Sequence, residues 1–361
     1  MARPFILFAL FALAVVACQP ARPSEAALPS MLAPTSSPTG APSAQPLPTA
    51  APVRLLIDTD VAPDDLIAIS FLVSAPNVEV AAITVAGTGE VHCPRGVQIV
   101  LALLERLGAP QIPVACGSDK PTALDHTFPD LFRSNADAAA GLDLPSTDRS
   151  ASKVAAPKLI SSTAAGAGGQ LRILTLGPQT NLAQALADKG LTERIESVYV
   201  MGGAVDVPGN IHGSPGGPQD NTTAEWNVYV DPAAVATVLE SGLDVRFISL
   251  DGTDQVPLTT TFAGHVQDVA TAPALSVLSE LLRKNDYMTS GGFYLWDAIA
   301  AVVAGGFPVA ESTDAHLTVD VGEGTTSGTM RRGDGPANAA YTTKVDAAAV
   351  EGLLISVMNA E

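Results

Sequence analysis

From Val53 onward, short and nearly continuous apolar runs alternate with stretches of helical periodicity. The runs Val53–Ile57, Val78–Val85, Leu171–Leu176, Ser197–Met201 and Val245–Leu250 read as strands. The helical patterns are Asp65–Ser74, Pro94–Leu107, Lys153–Ala164, Asn181–Ala187, Pro232–Ser241, Ala274–Asn285, Tyr294–Ala304 and Asp346–Met358. A helix between successive strands is the crossover that parallel pairing needs, and strands this apolar must be covered on both faces. The alternation therefore predicts an α/β protein, with one large domain over 53–361 and a mostly parallel central sheet flanked by helices. No internal repeat or interior linker divides it, and the Gly/Pro-rich stretches Pro208–Pro218 and Gly322–Gly335 read as loops.

The first 52 residues have a different texture. Met1–Cys18 carries Arg3, an apolar run over Phe5–Val16 and then Val15-Val16-Ala17-Cys18, the pattern of a lipoprotein signal peptide with lipidation at Cys18. An ordinary secretory signal cut near Ala17 is the alternative. Residues 19–52 hold nine of the 28 prolines and no apolar periodicity, which predicts a Pro/Ala/Ser-rich disordered tether. The expected location is the bacterial cell envelope, with membrane contact only through the lipid. Residues 1–52 carry a net +1, so of the formal −18 the rest of the chain holds −19. Such a body repels nucleic acid and anionic membranes and suits cations, neutral solutes or positively charged transition states. Three cysteines exclude a disulfide-rich scaffold, although Cys93 and Cys116 are able to pair outside the cytoplasm.

In open α/β sheets, ligands bind beyond the carboxyl ends of the strands. The first strand runs into Asp58-Thr59-Asp60-Val61-Ala62-Pro63-Asp64-Asp65. Four carboxylates within eight residues repel one another unless their pKa values rise or a cation neutralises them. Oxygen donors without cysteine or paired histidine favour Ca²⁺ or Mg²⁺. Helix capping by Asp64 and Asp65 is the plainer explanation of those two residues. Polar residues also follow the later strands: Gly87-Thr88-Gly89-Glu90, Gly177-Pro178-Gln179-Thr180-Asn181, Gly202-Gly203 and Asp251. Several of these ends are expected to converge on one site, with Asp58, Asp60, Asp64 and Asp65 around one cation.

The Asp-Thr-Asp-x-x-x-Asp-Asp run resembles the N-terminal signature of the inosine–uridine type nucleoside hydrolases. Gly177-Pro178-x-Thr180-Asn181, Met201-Gly202-Gly203, the Ala224–Pro232 box AEWNVYVDP and Trp296-Asp297 resemble that family's further motifs, in order. The resemblance spans essentially all of 53–361 and implies a nucleoside hydrolase-like, Rossmann-like core. It implies Ca²⁺ held by Asp60, Asp65, Asp297 and the main-chain carbonyl of Leu176, with Asp60 also as general base. Asp64, Met201, Asn210, Glu225 and Asn227 then look like sugar contacts. The implied reaction is hydrolysis of a nucleoside to free base and ribose. Members are often dimers or tetramers, so a homo-oligomer is implied as well.

Three departures bear on specificity. Val61-Ala62-Pro63 replaces the usual Pro-Gly between the aspartates, and Gly87-Thr88 replaces Gly-Asn. Trp296 stands where many members carry the histidine associated with protonating the departing base, which resembles the purine-preferring branch and points to a stacked purine. Thr180 and Asn181 are expected to be structural, as an N-cap and turn, and His92 and His126 lie in segments able to reach the pocket mouth. Two other functions remain open: a lipoprotein that binds nucleosides or ribosyl compounds without cleaving them, and a haloacid-dehalogenase-like phosphohydrolase using Asp58 and Asp60.

Overall fold

The computed structural model describes residues 52–360. The signal peptide and tether expected over 1–52 therefore lie, but for Pro52, outside the described residues. Among the described residues there are ten strands: β1 Val53–Thr59, β2 Val78–Val85, β3 Val114–Cys116, β4 Leu171–Thr175, β5 Ile195–Met201, β6 Val245–Ile248, β7 Ala310–Ala315, β8 Leu317–Val319, β9 Met330–Arg332 and β10 Ala339–Val345. Eight of them form one sheet in the order β3-β2-β1-β4-β5-β6-β10-β7. All neighbours pair in parallel except β10 with β7. This is the mostly parallel sheet expected, and its β3-β2-β1-β4-β5-β6 portion is the strand order of a doubly wound fold.

The pleat of the strands divides the core. On β1, Leu55 and Ile57 face one apolar cluster with helices Pro63–Ser74, Pro273–Lys284 and Trp296–Ala304, while Leu56 faces another with Ala156–Gly166 and Pro232–Leu239. On β5, Tyr199 and Met201 go to the first cluster and Val198 and Val200 to the second. Burial on both faces is why these strands read as unbroken apolar runs instead of alternating ones.

The five expected strands and eight expected helices all form, with ends shifted by a few residues. β3 and β7–β10 were not expected. β7 has the sequence AESTDA, with its middle four residues exposed, so it carries no apolar signal. The presumed loop Gly322–Gly335 is corrected in part: β9 falls inside it and pairs antiparallel with β8. Helices Asp130–Asp137, Trp226–Val230, Leu250–Thr253 and Thr260–Val269 were also missed. Cys93, at the start of helix Cys93–Arg106, is bonded to Cys116 at the end of β3, with Cα atoms 5.5 Å apart.

Candidate active site

The strand order reverses between β1 and β4, and in doubly wound sheets that switch point opens a crevice at the carboxyl ends. Asp60 follows β1 directly and Leu176 follows β4. Both line a cavity of about 820 Å³. Asp64, Asp65, Met201, Asn210, Glu225, Asn227, Trp296 and Asp297 line the same cavity, so residues 237 positions apart in the chain meet there.

The β1 turn is tied down by Asp65. Its Oδ1 accepts from the Thr59 hydroxyl and from the main-chain N–H groups of Asp60 (3.2 Å) and Val61 (3.3 Å), and its Oδ2 accepts from Ala62 (3.1 Å). These bonds hold Val61 at φ 60°, in the left-handed region that a β-branched residue rarely enters. Val61 is thus a locally strained residue of the turn, at a cost of about 1–3 kcal/mol. Asp60 Oδ2 accepts from the Glu90 N–H at 3.1 Å, and a Cβ on Gly177 would stand 2.7 Å from the Asp60 Cβ. The Asp60 carboxylate is therefore boxed in by the ends of β2 and β4.

One oxygen from each of Asp64, Asp65 and Asp297 falls within 4.8 Å of the others. Burial, then the Asp65 charge, pushes the Asp64 carboxyl up to about 7. Burial and then neighbouring carboxylates push Asp60 and Asp297 well above the usual range. Glu90 is raised in the same way, opposed by Arg133. Buried carboxylates at this density ionise together only if a cation joins them. An all-oxygen donor set, with no imidazole or thiolate in it, fits Ca²⁺ or Mg²⁺.

The sugar-contact candidates are wired to the backbone. Glu225 caps helix Trp226–Val230, accepting from the N–H groups of Asn227, Val228 and Gly203 at 2.9, 3.1 and 3.0 Å. Asn227 Nδ2 donates to the carbonyl oxygens of Leu176 (2.8 Å) and Met201 (3.2 Å), so the Leu176 carbonyl implied as a metal ligand already accepts one bond. Asn210 Oδ1 accepts from the Trp226 N–H at 3.1 Å.

Several expectations are corrected. Asp58 does not line the cavity: its Oδ1 accepts from Asn181 Nδ2 (2.8 Å) and from Thr84 (2.6 Å), and burial pushes it up to about 7. It is a structural link between β1, β2 and the β4 turn, which removes the nucleophile that a haloacid-dehalogenase-like reaction needs. Thr180 is not the cap of helix Thr180–Ala185; that position is Gln179. Thr180 instead donates to Asp231 at 2.7 Å and meets Thr88 at 3.1 Å, so Thr88 is also absent from the cavity wall. Asp251 accepts from the N–H groups of Val205 and Asp206 and stays outside the cavity. His92 pairs with Asp137 on the surface, and His126 stacks on Tyr229 with centroids 4.1 Å apart. Neither lines the cavity; His212 does.

A sequence profile described as inosine-uridine preferring nucleoside hydrolase matches residues 55–352. The chain belongs to this nucleoside hydrolase family. Among curated relatives, it is 34% identical over 208 residues to "Probable uridine nucleosidase 1" of Oryza sativa subsp. japonica, covering 57% of this chain and 61% of that protein. It is 32% identical over 232 residues to "Pyrimidine-specific ribonucleoside hydrolase RihA" of Klebsiella pneumoniae, covering 63% and 70%. The match thus spans about six-tenths of the length of the rice relative. The solved structure "Purine-Preferring Ribonucleoside Hydrolase from Gardnerella vaginalis" superposes with a TM-score of 0.73 at 25% identity, over 85% of this chain and 98% of that one. "Plant nucleoside hydrolase - PpNRh1 enzyme" shares the fold, with a TM-score of 0.74 at 24% identity over 86% and 100%.

In this nucleoside hydrolase-family chain, the cavity also takes in residues beyond the sugar and metal candidates, Glu90 among them from the strand ends expected to converge. Glu90 had a signal, because it follows the end of β2. Asp254, His212, Phe128, Phe132 and Tyr287 had none, since loops and short helices bring them to the wall. Trp296 donates its indole N–H to Asp254 Oδ1 at 2.8 Å and packs beside Phe293 and Tyr294, at centroid distances of 5.0 and 5.5 Å.

Proposed function

We propose that the protein hydrolyses the N-glycosidic bond of ribonucleosides to free base and ribose, with purine nucleosides favoured and Ca²⁺ required. The observation that carries this reading is the meeting of Asp60, Asp64, Asp65 and Asp297 at one cavity that also holds an aromatic wall around Trp296. Asp60, Asp65, Asp297 and the Leu176 carbonyl are the residues suited to hold the ion. When bound, Ca²⁺ supplies hydroxyl coordination and electrostatic stabilisation. Asp60 takes the proton of the attacking water, a general-base contribution of about 10²–10⁴-fold. Asp64 accepts from a ribose hydroxyl, Asn227 offers its side-chain oxygen, Asn210 and Glu225 shape the sugar's surroundings, and Met201 packs beneath the ring. The carboxylates favour the oxocarbenium-like charge that develops on the sugar as the bond breaks.

Trp296 supports the purine preference, because its N–H is engaged by Asp254 and its ring remains as a stacking surface. The pyrimidine-specific name of the Klebsiella relative favours a second reading, with pyrimidine nucleosides preferred. Ribose release from a nucleoside panel, with Ca²⁺ and after chelation, separates them. Release from inosine and guanosine ahead of uridine and cytidine, lost on chelation, is the expected result. Faster pyrimidine cleavage reverses the preference, and no ribose from any nucleoside sinks the activity. Export and lipid anchoring at Cys18 complete the proposal. Cys18→Ser should move the protein out of the membrane fraction, and an unchanged distribution overturns the anchor.

A further inference from the structure

A nucleobase leaves poorly as an anion, so a proton delivered to it as the C1′–N bond breaks lowers the barrier. Few groups of the cavity are able to deliver one. The Trp296 indole is no acid, and its N–H is already given to Asp254 Oδ1 at 2.8 Å. Tyr287 has its hydroxyl pushed up to about 12, by burial first, which makes it a weak acid. His212 Nδ1 is spent on the Gln219 carbonyl at 2.6 Å. Glu90 stands at the cation end: its main-chain N–H holds Asp60 Oδ2 at 3.1 Å, and burial, then the Asp64 and Asp65 charges, raise its carboxyl.

Asp254 lies on the aromatic side, just after helix Leu250–Thr253 at the carboxyl end of β6. Two main-chain bonds fix its segment against that of Trp296: the Leu295 N–H donates to the Val256 carbonyl at 3.1 Å, and the Leu258 N–H donates to the Phe293 carbonyl at 3.0 Å. An indole N–H only donates, so Oδ1 must accept, and a proton on this carboxyl sits on Oδ2. Oδ2 makes no hydrogen bond among the described residues and is not sealed from solvent. Burial raises the Asp254 carboxyl first of all; the indole N–H opposes this, and the Asp251 charge adds to it. Glu225, also close by, has the same sign, and among the described residues no lysine or arginine lines the cavity to hold Asp254 ionised.

We propose that Asp254 is a further catalytic residue, the acid that protonates the departing base through Oδ2. This rests on the hydrolase reading above and assigns its second proton transfer. As the C1′–N bond breaks, its electron pair goes to the base, and the Oδ2 proton passes to a ring nitrogen. Water oxygen bonds to C1′, and the water proton passes to Asp60. The base leaves neutral. Asp254 then regains a proton from solvent and Asp60 gives one up, so the cycle closes with no proton left over. A base stacked on Trp296 lies against the ring whose N–H orients this carboxyl, so one indole places both the stacking face and the acid.

Asp254→Asn keeps an oxygen for the Trp296 N–H and removes the acidity. Turnover by the full chain with Ca²⁺ is compared on two kinds of riboside. One is the faster-cleaved of inosine and uridine, whose base needs a proton to leave. The other is p-nitrophenyl β-D-ribofuranoside, whose phenolate leaves without one. In Asp254→Asn, kcat on the nucleoside should fall about 10²–10⁴-fold, and on the nitrophenyl riboside by about threefold at most. Asp254→Ser, which lets water in where the carboxyl stood, is the second variant and should show the same split. A merely structural role lowers both substrates alike. Equal losses on the two ribosides, or a nucleoside rate within about threefold of wild type, overturn this inference and leave the hydrolase reading standing. A wild type that releases ribose from no nucleoside defeats the hydrolase reading, and this inference with it.

Discussion

At the scale of single residues, the site depends on how closely backbone approaches one carboxylate. Gly177 has an ordinary φ, so alanine there would meet no backbone penalty, only the Asp60 side chain 2.7 Å away. Gly177→Ala should therefore displace Asp60, lower kcat at least tenfold, and cost about 1–3 kcal/mol of stability from overpacking. Asp60→Asn removes the base without changing the shape. Its kcat should fall about 10²–10⁴-fold while the variant stays folded, with a smaller rise in thermal midpoint on adding Ca²⁺ because one ligand of the ion is weakened. Steady-state ribose release and thermal melts on both variants check this. Normal turnover in folded Asp60→Asn would remove the general-base role.

At the scale of elements, one buried acid joins three segments. Glu280 of helix Pro273–Lys284 accepts from Arg106 of helix Cys93–Arg106 at 2.7 Å and from the Asp143 N–H at 2.8 Å, and it pairs with Lys284 at 2.7 Å. Burial acts to raise its carboxyl, but the bonds from Lys284, Asp143 and Arg106 together hold it down at about 2. A carboxyl depressed on folding contributes stability above its unfolded pKa, near 4.3, and that stability is lost as pH falls through the folded value. Denaturant melts between pH 5 and pH 2 should show this loss, and Glu280→Gln should start less stable at pH 7 and lose less over that window. A variant that matches the parent at every pH would show that the ion pairs contribute nothing. The Cys93–Cys116 bond ties the same helix Cys93–Arg106 to β3 at its other end, so each end of that helix is held by its own link.

At the scale of the whole molecule, acidity and fold are coupled through the cavity. Buried carboxylates that repel one another destabilise the folded state, and an ion that binds only the folded state reverses this. Ca²⁺ at a hundredfold excess over its Kd should contribute about 2.7 kcal/mol, visible as a rise in thermal midpoint that chelation abolishes. A midpoint indifferent to Ca²⁺ and chelator would argue against the ion site. The α/β alternation, the parallel sheet and the acidic run after β1 were all legible in the chain, because burial on both faces writes continuous apolar runs and strand ends collect the polar residues between them. Local order also carried the candidate site, since Asp60, Asp64 and Asp65 sit in one turn. Folding was needed to sort them: it turned Asp58 inward onto Asn181 and Thr84, brought Asp297 from a distant helix to the β1 turn, and set Asp254 at the indole N–H of Trp296. The exposed β7 and the paired β8 and β9 were invisible for the same reason. A hydrophobic pattern records which residues lose water, whereas the partner a polar side chain meets is set by long-range packing that leaves no periodic trace.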